Sequence, residues 1–323
     1  MDTIKPKKLK AGSIVGVISP STPVFSKKNL ANGMKILKKM GFKPRLGPKA
    51  LAINTSYKAG TIKDRLEDLT SMFFDDEIEA IFCTGGGYCS IQLLPEIDWS
   101  AIAENPKIIM GYSDITVLTS AIYEKTGLIT FHGPNIEGLQ TNTKGNRYTV
   151  ENFKHSLMKD GPGRLTPFTE WKTLKAGRAE GVLMGGNFNV LLSLMGTPHE
   201  PKWDDKILFL EEVTETIEGL ENYLWRLRVS KVFKKIEGLI IGKITDIIDI
   251  EDEVGGWANM DKPPVLEDII LQATEGYNFP ILYGADFGHD VPSLTLPVGA
   301  KARLDCPAVG RTGKIFITDT YLS

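Results

Sequence analysis

Residues 107–116 read Lys-Ile-Ile-Met-Gly-Tyr-Ser-Asp-Ile-Thr, in which an apolar run meets a glycine and then the polar pair Ser113 and Asp114. The pattern predicts a buried strand over Lys107–Met110, a sharp turn, and a helix over Ile115–Glu124. A strand that passes directly into a helix is the unit from which α/β sheets are built. This unit therefore points to an α/β fold.

The same alternation of strand and helix signals extends to both sides of this unit. Further strands are predicted at Ser13–Ser19, Phe42–Leu46, Ile78–Cys83 and Leu128–Phe131, and helices at Lys27–Met40 and Thr61–Phe74. Repeated strand–helix units predict a mostly parallel sheet with helices on both faces. Ligands bind such sheets beyond the carboxyl ends of the strands.

The second half of the chain is less regular and predicts a separate domain. Residues 161–178 are rich in Gly, Pro, Thr and Lys and are predicted to be a linker. We therefore expect a Rossmann-like α/β domain over residues 1–160 and a smaller, β-rich domain over residues 179–323. Short strands separated by Pro and Gly from Ile281 onward suggest an antiparallel or barrel-like end.

The composition excludes several classes of protein. The chain has 323 residues, of which 42% are hydrophobic and 24% charged, and its net charge is −2. This balance argues against a nucleic-acid partner, which usually requires a basic surface. Three cysteines, with no Cys-x-x-Cys or His-x-x-x-His pair, support neither a disulfide framework nor a metal site. No apolar run approaches the roughly 20 residues that span a bilayer, so no membrane partner is expected.

The N-terminal residues could be mistaken for a signal peptide. Several lysines precede the apolar run at residues 14–18. The run is short, and Pro20 and Pro23 follow it without a cleavage site of small residues. A first β-strand is the better interpretation, and we expect a cytoplasmic protein.

Ser113 is the first candidate for a reactive side chain. A serine at a sharp strand-to-helix turn presents its Oγ to solvent, as in a nucleophile elbow. The N–H of Asp114 and the positive end of the helix dipole could then stabilise an oxyanion. The hydrolase pattern Gly-x-Ser-x-Gly is not met, because Ile115 stands at the second glycine position. The alternative is an ordinary N-cap, in which Ser113 or Asp114 satisfies the first helical N–H groups.

The glycine run at residues 84–88, Thr-Gly-Gly-Gly-Tyr, follows another predicted strand of the same sheet. Glycines allow positive φ and a close approach of backbone N–H groups to a ligand. A dinucleotide fingerprint fails because Ser90 stands at the last glycine position, and the Walker pattern is absent. An oxyanion-hole loop and a plain tight turn both remain open.

A reactive serine requires a base and an orienting carboxylate. Of the four histidines, His132 and His289 each follow a predicted strand, where a side chain can face a cleft. Either one could instead be a hydrogen-bonded structural residue. Glu211 ends the apolar strand at residues 207–210, and Glu212 would point the opposite way. The sequence pattern alone does not show which histidine would be the base or which glutamate would orient it.

Several segments together resemble the LD-carboxypeptidase family of serine peptidases, which includes the microcin-C immunity peptidases. The matching motifs follow one another in a consistent order from about residue 13 to residue 305. No single motif is decisive, but together they make the resemblance strong. The matching segments are Val17–Ser21, Gly85–Tyr88, Gln92–Asp98, Pro106–Lys107, Gly111–Thr116, Thr130–Pro134, Gly185–Asn187, Phe209–Glu212 and Phe287–His289.

The resemblance implies a Ser-Glu-His triad and assigns each member a position. Ser113 would be the nucleophile, His289 the general base, and Glu211 the residue that orients the base. Glu211 is preferred to Glu212 because the family's glutamate directly follows the apolar strand. The oxyanion hole would be formed by the N–H groups of Gly86 and Asp114. The resemblance also implies a Rossmann-like domain and a β-rich domain with the site between them.

The resemblance further implies a small peptide substrate, no cofactor and a homodimer. The family's LD-carboxypeptidases release the terminal D-alanine from murein tetrapeptides, whereas the immunity peptidases cleave an aminoacyl-nucleotide amide. The segment Trp171–Gly177 looks more like the murein branch. Cys89 departs from the Gly or Asn common at its position and could reshape the pocket. A non-enzymatic protein that grips a small carboxylate ligand is the remaining alternative.

Overall fold

The computed structural model describes residues 2–159, 161–248, 265–290 and 292–323. Its strands are β1 (Ile14–Ile18), β2 (Lys43–Leu46), β3 (Ile78–Cys83), β4 (Ile108–Gly111), β5 (Thr130–His132), β6 (Gly163–Arg164), β7 (Lys172–Lys175), β8 (Gly177–Asn187), β9 (Lys206–Val213), β10 (Gly238–Thr245), β11 (Ile281–Tyr283), β12 (Leu296–Val298), β13 (Lys301–Cys306) and β14 (Lys314–Ile317). Its α-helices are α1 (Lys27–Lys39), α2 (Ile62–Phe74), α3 (Trp99–Glu104), α4 (Thr116–Thr126), α5 (Lys144–Met158), α6 (Phe188–Leu192), α7 (Ile217–Val229) and α8 (Leu266–Ala273).

The first sheet has six strands in the order β12-β5-β4-β3-β1-β2. The five strands from the N-terminal part are parallel, and only β12 is antiparallel to its neighbour β5. The order 2-1-3-4-5 is that of a doubly wound sheet, whose loops part beyond the carboxyl ends of β1 and β3. The structure confirms the predicted α/β fold with a largely parallel N-terminal sheet.

The second sheet has eight strands in the order β6-β14-β13-β8-β9-β10-β11-β7. The central strands β8 to β11 are parallel, and the strands added at both edges are antiparallel. The antiparallel pairing expected after Ile281 occurs in β13 and β14, whereas β12 joins the first sheet. The division at residues 160 and 179 stays a prediction, and the predicted linker carries β6 and β7 at opposite edges of the second sheet.

Helix α4 connects the two sheets. All seven residues from Thr116 to Ile122 are buried, and a helix that is buried on every side belongs to the interior of a protein. The hydroxyl of Thr116 accepts a hydrogen bond from the N–H of Asn187 at the end of β8, at 3.0 Å. A Cβ added to Gly186 would lie 2.4 Å from that hydroxyl oxygen. The close approach of β8 to α4 therefore depends on a glycine.

Within the described ranges, none of the helices is long and apolar enough to cross a membrane.

Replacing Gly186 by Ala should destabilise the contact between α4 and β8. Gly186 has φ +146°, which L side chains rarely adopt, and such strain costs about 1–2 kcal/mol. Overpacking against Thr116 adds about 1–3 kcal/mol. We expect the free energy of unfolding, measured in urea, to fall by about 3 kcal/mol.

Gly196→Ala is the matched control for this substitution. Gly196 also has positive φ, +78°, but no atom of the described part of the chain lies within 4 Å of an added Cβ. The free energy of unfolding of this variant should therefore fall only by the part that comes from backbone strain. Equal losses in the two variants would show that the contact with Thr116 contributes nothing.

Candidate active site

Ser113 lies in a strained turn at the carboxyl end of β4. Its φ is +62°, an uncommon value for a residue with a side chain. It opens a short 3-10 turn, Ser113–Ile115, that leads directly into α4. No N-cap hydrogen bond from a side chain is formed at the start of either segment. This is the geometry of a nucleophile elbow and not that of a capping serine.

The carboxylate of Asp114 ties this turn to the glycine loop. It accepts hydrogen bonds from the hydroxyl of Ser21 at 2.5 Å and from the backbone N–H groups of Cys89 and Ser90 at 2.9 and 2.8 Å. The hydroxyl of Ser90 donates in return to the carbonyl of Asp114 at 2.6 Å. Asp114 is buried, and its carboxylate is tolerated in the interior because one of its oxygens, Oδ2, accepts all three of these hydrogen bonds.

Gly86 lies directly against Ser113. An added Cβ at Gly86 would be 2.6 Å from the Cβ and 2.7 Å from the Oγ of Ser113, and 3.5 Å from the nitrogen of Asp114. The carbonyl of Gly86 is anchored by the N–H and the hydroxyl of Thr22, at 3.2 and 2.7 Å. The structure thus brings together Ser113, Gly86 and Asp114, the three residues that the family resemblance grouped, and holds the loop with a residue from the β1 loop.

His289 and Glu211 meet in the second sheet. Nδ1 of His289 lies 2.7 Å from Oε2 of Glu211, whose side chain is completely buried at the end of β9. Gly288, with φ +134°, precedes the histidine, and an added Cβ there would lie 3.2 Å from the same carboxylate oxygen. The glycine therefore allows the chain to pass close enough for this pair to form.

Glu212 has a different set of partners. Its carboxylate accepts hydrogen bonds from Nδ2 of Asn187 and from the backbone N–H groups of Asn189 and Val213, at 2.7 to 2.9 Å. Burial nevertheless raises its pKa above the usual value, and the hydrogen bonds partly oppose that shift. The two neighbouring glutamates point in opposite directions, as strand alternation requires, and only Glu211 faces a histidine.

Tyr112 connects the turn that carries Ser113 to His289. Its ring centroid is 4.8 Å from that of His289. Burial, followed by the charge of Glu211, raises the pKa of Tyr112 to about 12, so its hydroxyl is neutral at physiological pH. Since Tyr112 directly precedes Ser113, this contact places His289 beside the strained turn.

A cavity of about 320 Å³ opens beside His289. Its wall is formed largely by uncharged groups from the loops after β5 and after β11 and from α5. The lining residues are Tyr112, Pro134, Gly138, Gln140, Asn146, Thr149, Gly288, His289, Asp290 and Ser293. A cavity of this size and polarity suits a small polar ligand.

His132, the other candidate base, is buried in the interior. Its exposed fraction is 1%, and burial lowers its pKa to about 4. It does not open onto the cavity beside His289. The two remaining histidines are less relevant, because His155 is exposed on α5 and His199 packs beside Trp99.

Sequence reasoning missed the side chains that support the site. It treated Asp114 as a backbone donor or as an N-cap and gave no role to Ser21 or Thr22. Arg65 was also missed: it is buried and donates to the carbonyls of Pro20 and Cys89 at 3.0 and 2.9 Å. The sequence did carry a signal for Arg65, because a charged residue stands there among the apolar positions of the helix predicted over Thr61–Phe74.

Cys89 packs behind the glycine loop. Its thiol donates to the carbonyl of Ser21 at 3.3 Å, and the side chain is 1% exposed. It is not among the residues that line the cavity. In the described part of the chain, no group of three or more His, Cys, Asp or Glu side chains is arranged to hold a metal ion.

Two models of one protein family match most of the chain. The LD-carboxypeptidase N-terminal domain matches residues 15–133, and the LD-carboxypeptidase C-terminal domain matches residues 180–304. Ser113 lies in the first match, whereas Glu211 and His289 lie in the second.

Two relatives, one named as a carboxypeptidase and one as a self-immunity protein, are similar to this chain over nearly its full length. The probable murein peptide carboxypeptidase of Bacillus subtilis is 36% identical, over 93% of this chain and 91% of the relative. The microcin C7 self-immunity protein MccF of Escherichia coli is 32% identical, over 98% of this chain and 96% of the relative.

The fold is shared with a solved structure of MccF in complex with glutamyl sulfamoyl guanosine. The TM-score is 0.87 with 30% sequence identity, and the match covers 99% of each chain. Together with the two family models, this similarity establishes that the chain belongs to the LD-carboxypeptidase family of serine peptidases.

Proposed function

We propose that Ser113, His289 and Glu211 form a catalytic triad that hydrolyses a peptide bond. The observation that carries the proposal is the contact of 2.7 Å between Nδ1 of His289 and Oε2 of the buried Glu211. The ring of the same histidine packs against Tyr112, the residue before a serine held at positive φ. A base oriented by a carboxylate and a nucleophile exposed on a strained turn are the two requirements for serine catalysis.

The hydrogen bond with Glu211 fixes the role of each ring nitrogen of His289. Nδ1 carries the proton that is donated to the carboxylate, which leaves Nε2 as the acceptor for the proton of the Ser113 hydroxyl. Attack by Oγ on the substrate carbonyl gives a tetrahedral intermediate. His289 then returns the proton to the leaving amine, and water hydrolyses the acyl-enzyme by the same steps in reverse roles.

The negative oxygen of the tetrahedral intermediate needs hydrogen-bond donors. We assign this role to the backbone N–H groups of Gly86 and Asp114, because both residues adjoin Ser113. The anchoring of the loop by Thr22 and by the Asp114 carboxylate fixes these donors before the substrate binds. Donors fixed in advance cost no reorganisation during the reaction, which is why such sites are effective.

The substrate we propose is a murein tetrapeptide, cleaved at the bond between an L-centre and the terminal D-alanine. The name of the Bacillus subtilis relative, a probable murein peptide carboxypeptidase, supports this choice. The cavity beside His289 has room for a small peptide. The enzyme would then act in peptidoglycan recycling as a cytoplasmic homodimer.

A second candidate is cleavage of an aminoacyl-nucleotide amide, as in microcin immunity. The full-length similarity to MccF, and to its structure with glutamyl sulfamoyl guanosine, favours this alternative. It requires the same triad and differs only in the group that the cavity and its rim accept.

Replacing Ser113 by Ala should abolish turnover without unfolding the protein. Loss of a triad nucleophile lowers kcat by about 10³-fold or more. Mass spectrometry of murein tetrapeptide incubated with each protein should show loss of one alanine with the parent and none with the variant. The far-UV circular dichroism of the two proteins should match. Equal activity in the variant would exclude Ser113 as nucleophile.

Glu211→Gln and Glu212→Gln form a matched pair that separates catalysis from stability. Glu211→Gln should lower kcat by about 10⁴-fold, because an amide no longer selects the Nδ1–H tautomer of His289. Glu212→Gln leaves backbone donors poorly matched and should instead cost about 1–3 kcal/mol of unfolding free energy. A larger loss of kcat in the Glu212 variant would reverse the assignment.

A comparison of substrates separates the two candidate functions. We expect kcat/KM for a murein tetrapeptide to exceed that for a glutamyl sulfamoyl nucleotide by at least about tenfold, a difference that roughly 1.4 kcal/mol of transition-state binding supplies. Both reactions should disappear in the Ser113→Ala variant. A preference for the nucleotide would assign the protein to the immunity function and leave the triad in place.

A further inference from the structure

His132 occupies a central position that the proposed mechanism does not use. It is the last residue of β5, where it is paired with Gly111 of β4 on one side and Leu296 of β12 on the other. Gly111 is two residues before Ser113. His132 is therefore fixed by the strand that carries the nucleophile turn, and its side chain is buried.

Three aromatic rings surround the imidazole of His132, and each belongs to a segment that carries a triad member. Tyr112 lies at 6.3 Å between ring centroids, Phe209 at 5.5 Å and Phe287 at 6.0 Å, all in edge-on arrangements. Tyr112 precedes Ser113 by one residue. Phe209 and Phe287 precede Glu211 and His289 by two residues, which in an extended chain is the spacing of side chains on one face.

The polar atoms in this cluster are not satisfied by protein groups. Among the residues that the structure describes, neither ring nitrogen of His132 has a hydrogen-bond partner, and the same is true of Oε1 of Glu211, the oxygen that His289 does not contact. All three atoms are buried. Buried polar groups are normally hydrogen-bonded to protein or to an ordered water, so an orphaned donor and an orphaned acceptor in one cluster require a common explanation.

Burial and the neighbouring ionisable groups determine the protonation state of His132. The ionisable groups that face it are Glu211 on β9, His289 after β11 and Tyr112 after β4. Burial lowers the pKa of His132 to about 4; Glu211 opposes this shift and His289 adds to it. His132 is thus a neutral imidazole at physiological pH, with one N–H donor and one acceptor nitrogen.

We propose that His132 is a positioning residue, whose ring N–H reaches Oε1 of Glu211 through one bridging water and holds the carboxylate in the orientation that His289 uses. The proposal rests on the triad assigned above and adds a fourth member that touches neither substrate nor reacting atoms. A donor on Oε1 stops the carboxylate from rotating and draws part of its charge away from Oε2.

The variants that test this role are His132→Phe and His132→Gln. Phenylalanine keeps a flat ring among the three aromatic neighbours but removes both polar atoms, whereas glutamine keeps a donor and an acceptor. The readout is the rate at which a fluorophosphonate labels Ser113, followed by intact mass from pH 5 to 9. In that reaction the serine Oγ bonds to phosphorus, fluoride leaves, and His289 takes the hydroxyl proton, so no knowledge of the natural substrate is needed.

We expect His132→Phe to slow labelling by about 10- to 100-fold, which is typical for the loss of a group that orients a functional side chain. The acid limb of the rate profile should move to higher pH, because the whole carboxylate charge then acts on His289. His132→Gln should recover at least about a third of the lost rate on a logarithmic scale, since it restores a donor. The thermal midpoint of His132→Phe should fall, because the buried Oε1 of Glu211 then loses its bridged donor, so the pH profile and not the midpoint reports the positioning role.

Phe131→Leu, in the same strand, is the control for a packing defect. Phe131 is completely buried but lies outside the triad and its hydrogen bonds. It should lower the thermal midpoint and leave the pH profile unchanged. A His132→Phe profile that coincides with the parent would overturn the positioning role while the triad stands. No labelling of the parent at any pH would overturn the triad and this proposal together.

Discussion

The hydrogen bond from the N–H of Asn187 to the hydroxyl of Thr116 sets the geometry on which the site depends. Thr116 is three residues after Ser113, and Asn187 is paired in register with Glu211 across β8 and β9. This contact between the sheets therefore helps to set the position of Ser113, the proposed nucleophile, relative to Glu211, the carboxylate proposed to orient its base. Gly186 makes the contact possible, since any larger residue would separate β8 from α4.

Strain and burial at the site are balanced by hydrogen bonds from neighbouring loops. Ser113 has an unfavourable φ, and such strain persists only where the surroundings over-determine the conformation. Here the surroundings are the Asp114 carboxylate with its three donors and the Gly86 carbonyl with its two. These bonds link the loops after β1, β3 and β4, so the proposed oxyanion donors and the turn that carries Ser113 are held together as one hydrogen-bonded unit.

The sequence allowed the local features to be predicted better than the long-range ones. Ser113 and the glycine loop were recognisable because a strand, a turn and a helix leave a contiguous pattern. Alternation showed that Glu211 and Glu212 point apart, but only the family resemblance chose between them, because the choice depends on a histidine 78 residues away. The pairing of β12 with β5, the strands within residues 161–178 and the burial of His132 depend on contacts that no local pattern encodes.

The parts of the site that would perform chemistry and those that would select a substrate come from different elements. The proposed triad and oxyanion donors lie at the ends of β3, β4 and β9 and just after β11, where backbone pairing restricts change. The cavity wall is built mainly from α5 and from the loops after β5 and β11. Loops accept substitutions that sheet ends do not. A family can therefore keep one reaction while its members act on different substrates, and under the proposed function the residues of the cavity wall, not the triad, would decide between a murein peptide and an aminoacyl nucleotide.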